Sequence, residues 1–132
     1  MGFDELTAMA REVARPRRLS AMAEAGSVGA ALLTDTGHVY LGVCVDTACS
    51  MGFCAEHAAA AAMLTHGEQV IRKVVAVSHT GDIMPPCGRC REFLSQLADE
   101  NRMAEVLVGP HTVVRLGELL PYDWREASGK AE

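Results

Sequence analysis

Hydrophobic spacing changes character several times along the chain. In residues 4–15, Leu6, Met9, Ala10 and Val13 recur at helical intervals. Pro16 interrupts that pattern, and the spacing predicts a second short helix over Arg17–Ala25, stopped by Gly26. SVGAALLT (27–34) is a short apolar run, as in a buried strand. Asp35-Thr36-Gly37 supplies a turn, and HVYLGVCV (38–45) is its hairpin partner. CAEHAAAAAMLTHG (54–67) joins strong helix formers to a closing glycine. VIRKVVAVS (70–78) alternates and then runs apolar, as a central strand does, and CGRCREFLSQLAD (87–99) predicts an amphipathic helix launched after Pro85-Pro86. Short strands are expected over 105–109 and 112–116. The order α-β-β-α-β-α-β-β predicts an α/β fold, a mixed five-stranded sheet with helices on its faces.

A length of 132 residues, 49% of them hydrophobic, suits one domain with a real core. Residues 1–26 read as an N-terminal helical segment, 27–124 as the core that carries the chemistry, and 125–132 as a flexible tail. The opening MGFDELTAMAREV carries acids and no long apolar block, so it does not read as a secretory leader. No run reaches membrane-spanning length, and a soluble cytoplasmic protein is expected. A net charge of −5 lacks the positive field of a nucleic-acid binder. The one basic stretch, REVARPRR, holds Arg11, Arg15, Arg17 and Arg18. It reads as a solvated helix end ahead of a phosphate-contacting patch.

The candidate chemistry lies in the cysteines: Cys44, Cys49, Cys54, Cys87 and Cys90. An odd number without a leader argues against a disulfide framework. Cys87 and Cys90 share one face at the start of a predicted helix, and Cys54 opens another. The unpaired N–H groups and positive dipole end there favour thiolates. Two such helix starts meeting would gather three thiolates. For Zn²⁺, three protein ligands and an open position is the catalytic arrangement, and four protein ligands the structural one. Glu56 stands two residues after Cys54, where a carboxylate could move protons without ligating. Cys54-Ala55-Glu56 followed by Pro86-Cys87-Gly88-Arg89-Cys90 matches the three-cysteine form of the zinc nucleobase deaminase signature. Three plainer readings stand beside it. The thiols could be buried hydrophobes or a redox pair. They could also be a structural zinc site completed by His57 or His79, with Glu56 an ordinary helix-start acid. Cys49 reads as a loop thiol.

From about Ser27 to Trp124 the chain resembles the cytidine deaminase family, and its three-cysteine set resembles the small homotetrameric free-nucleoside members. SVGAALLTDTGHVYLGV, PPCGRCREFL and ELLPYDW also resemble the blasticidin-S deaminases. The resemblance implies a three-layer α/β/α fold, one Zn²⁺ held by Cys54, Cys87 and Cys90, and Glu56 as proton shuttle. It implies that the Ala55 N–H meets the pyrimidine 2-oxo group and that the Pro85 carbonyl receives the 4-amino group. The family's ribose-binding N-x-E falls on Cys44-Val45-Asp46, where Asp46 would accept a sugar hydroxyl and Cys44 line the pocket. The family's aromatic segment before V-G-A-A-L is replaced by SAMAEAGS. Tyr122 and Trp124 either pack the C-terminus or close an active site, a neighbouring subunit's included. Zinc with three thiolates carries net −1, so Arg89 first, then Arg91, is expected to offset it. The activity implied is hydrolytic deamination of cytidine, deoxycytidine or a cytosine-nucleoside analogue, with blasticidin-S-type deamination as the alternative. A non-catalytic zinc-stabilised binding module is a further alternative. The acidic balance counts against nucleic-acid polymers.

Overall fold

The computed structural model describes residues 1–127. Helix α1 spans Phe3–Val13, and Pro16 follows its end. Six strands follow: β1 Arg17–Arg18, β2 Ala23–Thr34, β3 Val39–Thr47, β4 Ile71–Ser78, β5 Glu105–Gly109 and β6 Thr112–Arg115. Helix α2 spans Ala55–Thr65, α3 Gly88–Gln96 and α4 Trp124–Ala127. No helix among the described residues is long and apolar enough to cross a membrane.

Two expectations are corrected. The helix expected over 17–25 is absent: Arg17 and Arg18 pair with Ala25 and Glu24, and residues 23–25 pair with 45–47 of β3. SAMAEA has helical composition, but ladder partners about twenty residues away outweigh a weak local preference. The sheet therefore has six strands rather than five. Of the tail expected over 125–132, residues up to 127 belong to α4, and residues 128–132 lie outside the described residues.

β2 is central, antiparallel to both β3 and β4, while β4 runs parallel to β5 and β5 antiparallel to β6. Strand alternation then divides the core. Ala31, Leu33, Val75 and Val77 face α1 with Leu6 and Ala10, while Ala30, Leu32, Val74 and Ala76 face α2 and α3 with Ala59, Met63 and Leu94. The expected three layers are thus present. α2 packs unusually close to the sheet. A Cβ added at Gly42 would sit 2.3 Å from the Ala59 nitrogen and 2.6 Å from the Ala55 carbonyl oxygen. The run of alanines and this one glycine set the depth of the helix that carries Glu56.

A candidate zinc and nucleoside site

Cys54 is the N-cap of α2 and Cys87 the N-cap of α3. The two helix starts meet. Cys54 Sγ lies 3.5 Å from Cys87 Sγ, and Cys87 Sγ lies 3.6 Å from Cys90 Sγ. Tetrahedral zinc with Zn–S bonds of about 2.3 Å separates its sulfurs by roughly 3.8 Å, so the thiols stand near the spacing of one coordination face. The sulfurs are not uniform. Burial, then the nearby Glu56 carboxylate, drives the Cys90 thiol far up. Burial also raises Cys54, with Cys87 adding to it. At Cys87 burial is outweighed by the backbone N–H groups of Cys90 and Arg89 and by the neighbouring thiols, and its pKa is lowered. The most exposed of the three is thus the one whose anion the helix start favours.

His57 belongs to the same cluster. Its ligand nitrogen and the sulfurs of Cys54 and Cys90 all lie within 4.8 Å of one another, and Nδ1 is 3.3 Å from Cys90 Sγ. The ring stacks on Phe93 of α3, with centroids 4.3 Å apart and planes at 12°. Burial, then Arg89, lowers its pKa and keeps the imidazole neutral near pH 7. Glu56 is 5% exposed, and burial raises its carboxyl above the ordinary range. A buried carboxyl with a raised pKa on a cavity wall is the kind of group that serves as a general acid–base.

A cavity of about 440 Å³ opens in front of these groups. Of the residues singled out from the sequence, Cys44, Asp46, Cys54, Ala55, Glu56, Pro85, Cys87 and Arg89 line it. Ala55 is the first residue of α2, so its N–H has no partner one helical turn back. Cys90 lies buried behind the wall. Cys44 is inward-looking: its sulfur accepts from the Val28 N–H at 3.3 Å and lies 3.1 Å from the Ser27 hydroxyl. Ser27, Phe53 and Met84 also line the cavity; their roles were invisible in the sequence because each arrives from a different segment.

Three expected residues stand elsewhere. Arg91 Nε donates to the Pro86 carbonyl at 2.8 Å, so it braces the loop rather than touching a thiol. Trp124 Nε1 donates to both Glu92 carboxylate oxygens at 3.2 Å, on the outer side of α3. Tyr122 is fully exposed, at φ 55°. Beside it the buried Asp123 carboxylate is clamped by Arg125 and Arg102, each at 2.7 Å. Neither aromatic closes this chain's own cavity.

The family described as the cytidine and deoxycytidylate deaminase zinc-binding region matches residues 4–106. The chain belongs to this family. A cytidine deaminase of Mycobacterium tuberculosis is 34% identical over 96 residues, covering 72% of this chain and 70% of that protein. One from Halalkalibacterium halodurans is 35% identical over 98 residues, 71% of this chain and 74% of its own length. The crystal structure of the M. tuberculosis cytidine deaminase superposes with a TM-score of 0.76 at 30% identity, over 92% of this chain and 96% of that one. That from Burkholderia pseudomallei gives 0.75 at 27%, over 92% and 98%.

Proposed function

We propose that the protein is a zinc-dependent hydrolytic deaminase that converts a cytosine nucleoside and water to the uracil form and ammonia. The observation that carries this is the meeting of three thiols, successive sulfurs 3.5 and 3.6 Å apart, with a buried carboxylate on a cavity wall. Cys54, Cys87 and Cys90 would hold one Zn²⁺, which when bound would supply Lewis acidity towards a water molecule. Glu56 would take one proton from the attacking water and deliver it to ring N3 as the C4–O bond forms; it would then carry the remaining proton of the C4 hydroxyl to the amine, so that the C4–N bond breaks, ammonia leaves and the C4 carbonyl forms. The Ala55 N–H donates to the 2-oxo group and the Pro85 carbonyl accepts from the 4-amino group, which together fix the ring. Arg91 steadies the Pro85–Pro86 segment. His57 Nδ1 donates to Cys90, lending the thiolate cluster a neutral donor where charge must be offset, while the Arg89 cation stands on the cavity wall.

At the sugar end, Asp46 accepts a hydroxyl. Cys44 offers no amide, and its sulfur is already engaged by Ser27 and Val28. That observation favours, as a second reading, a nucleoside with a modified sugar such as blasticidin S. The same reading has the protein as a cytoplasmic homotetramer, supported by its resemblance to the small three-cysteine enzymes. Light scattering on the active form checks this, and a fully active monomer would contradict it.

Ammonia release from cytidine, deoxycytidine, cytosine and blasticidin S tests the assignment. Chelator-stripped protein should be silent on all of them and regain turnover with one zinc per chain. A zinc-loaded protein silent across the panel would refute it.

A further inference from the structure

Of the four clustered arginines, three have local bonds. Arg11 reaches the Gly81 carbonyl, Arg15 Nε donates to the Glu12 carbonyl at 2.8 Å, and Arg18 pairs with Glu24 at 3.4 Å and donates to the Ala21 carbonyl. Among the described residues the Arg17 side chain has no hydrogen bond or ion pair. It stands on β1, a strand of two residues, and lines a second cavity of about 210 Å³ with Pro16, Arg18, Glu24, Ser27 and Asp46. Ser27 and Asp46 also line the main cavity, so the two spaces meet at those residues, at the end away from the thiols.

The charges there leave a specific vacancy for a ligand. Arg18, Glu24 and Asp46 are directly opposite one another across β1, β2 and β3. Facing carboxylates on neighbouring strands repel, and Arg18 takes the charge of Glu24. What remains is one carboxylate, Asp46, suited to a hydroxyl, and beyond it one unpaired guanidinium, Arg17, suited to an oxyanion.

We propose that this second cavity is a substituent site, and that the enzyme accepts cytosine nucleosides whose sugar carries an oxyanion, phosphate or carboxylate, bound by Arg17. The inference rests on the reading of the main cavity as a cytosine-nucleoside site. The base sits toward Glu56, a sugar hydroxyl meets Asp46, and the anion passes Ser27 to reach Arg17.

The test compares kcat/KM for cytidine, cytidine 5′-monophosphate, cytidine 3′-monophosphate and cytidine 5′-uronic acid. At least one anionic substrate should match or exceed cytidine, and which one identifies the source of the oxyanion. Arg17→Ala should lower that substrate's kcat/KM about tenfold, the scale of one lost charge-assisted hydrogen bond, and leave cytidine within twofold. Arg17→Lys should restore part of the loss, and added salt should narrow the gap. Arg17 is exposed on a short edge strand, so the fold should survive, and unchanged cytidine turnover checks that directly. An enzyme active on cytidine but inactive on every anionic substrate would overturn the inference. So would an Arg17→Ala variant that changes both substrate classes alike, or neither. Absence of cytidine turnover by the zinc-loaded wild type would instead overturn the reading on which it rests.

Discussion

Asn101 is fully buried and fastens the helix that carries two of the thiols. Its Oδ1 accepts from the Ile71 N–H at 2.7 Å, and its Nδ2 donates to the Leu94 and Gln69 carbonyls, each at 3.0 Å. The side chain thus ties the last turn of α3 to the start of β4. In Asn101→Ala the Ile71 N–H loses its partner inside the core, at about 1–3 kcal/mol, while the Leu94 carbonyl keeps the Leu97 N–H at 3.4 Å. Gln69 is exposed and its carbonyl can turn to water, so it adds little. The expected loss is ~2 kcal/mol, a sizeable part of the stability of a domain this size. With a urea m-value of about 2 kcal/mol/M, the midpoint should fall by roughly 1 M at unchanged m. The measurement is a urea titration of the reduced, zinc-free protein by circular dichroism. Asn101→Asp should do no better at pH 7, because a second carboxylate oxygen would face two carbonyls. A loss below about 1 kcal/mol for Asn101→Ala would refute the reasoning, since it would mean that the Ile71 N–H is not left unpaired.

Met63→Ala removes a fully buried side chain beneath α2 and should cost about 2–5 kcal/mol in the same titration. His57→Ala should keep one zinc per chain but weaken its binding about 10–100-fold in competition with a chelator, as loss of a supporting bond does; complete loss of the metal would make His57 a ligand. Arg91→Ala should lower kcat/KM about tenfold without changing zinc content, because a small displacement of the substrate-positioning loop is costly, and an unchanged rate would remove the brace. The Glu68 carboxylate accepts from the Thr36 and Tyr40 hydroxyls and pairs with His38, which lowers its pKa from 4.5 to about 2. A carboxylate depressed on folding contributes stability that is full above its unfolded value and is lost as pH falls through its folded one. Glu68→Gln should therefore flatten the loss of stability between about pH 4.5 and 2, read as the dependence of Tm on pH, and an unchanged acid limb would contradict that.

The parts of the site legible in the sequence are those that depend on local pattern. Cys54 and Cys87 each precede a helix whose composition and punctuation mark its start, so the convergence of two helix N-termini could be anticipated. Glu56 could be placed in the first turn of α2 from its position two residues after Cys54. The strands over 71–78 and 105–109 announced themselves by apolar runs. What escaped depends on partners distant in sequence. Residues 17–25 carry helix-forming residues but complete a sheet with residues 45–47. Trp124 carries no local signal for its partner, the Glu92 carboxylate 32 residues earlier, which accepts its indole N–H. Asn101 lies between the helix and strand expected over 87–99 and 105–109, and its three partners lie 7 to 32 residues away, so no local pattern marks it. Arg17 was one of four similar arginines until the geometry left it alone without a partner among the described residues.

The central claim is that Glu56 moves protons for a hydrolytic deamination beside a three-thiolate zinc site. Cytidine turnover by zinc-loaded wild type and Glu56→Gln, with zinc content measured on the same samples, tests it most directly. The account predicts one zinc per chain in both proteins and a loss of 10²–10⁴-fold in kcat for the variant, the scale of a missing general acid–base. A Glu56→Gln protein that keeps its zinc and turns over at the wild-type rate would contradict it.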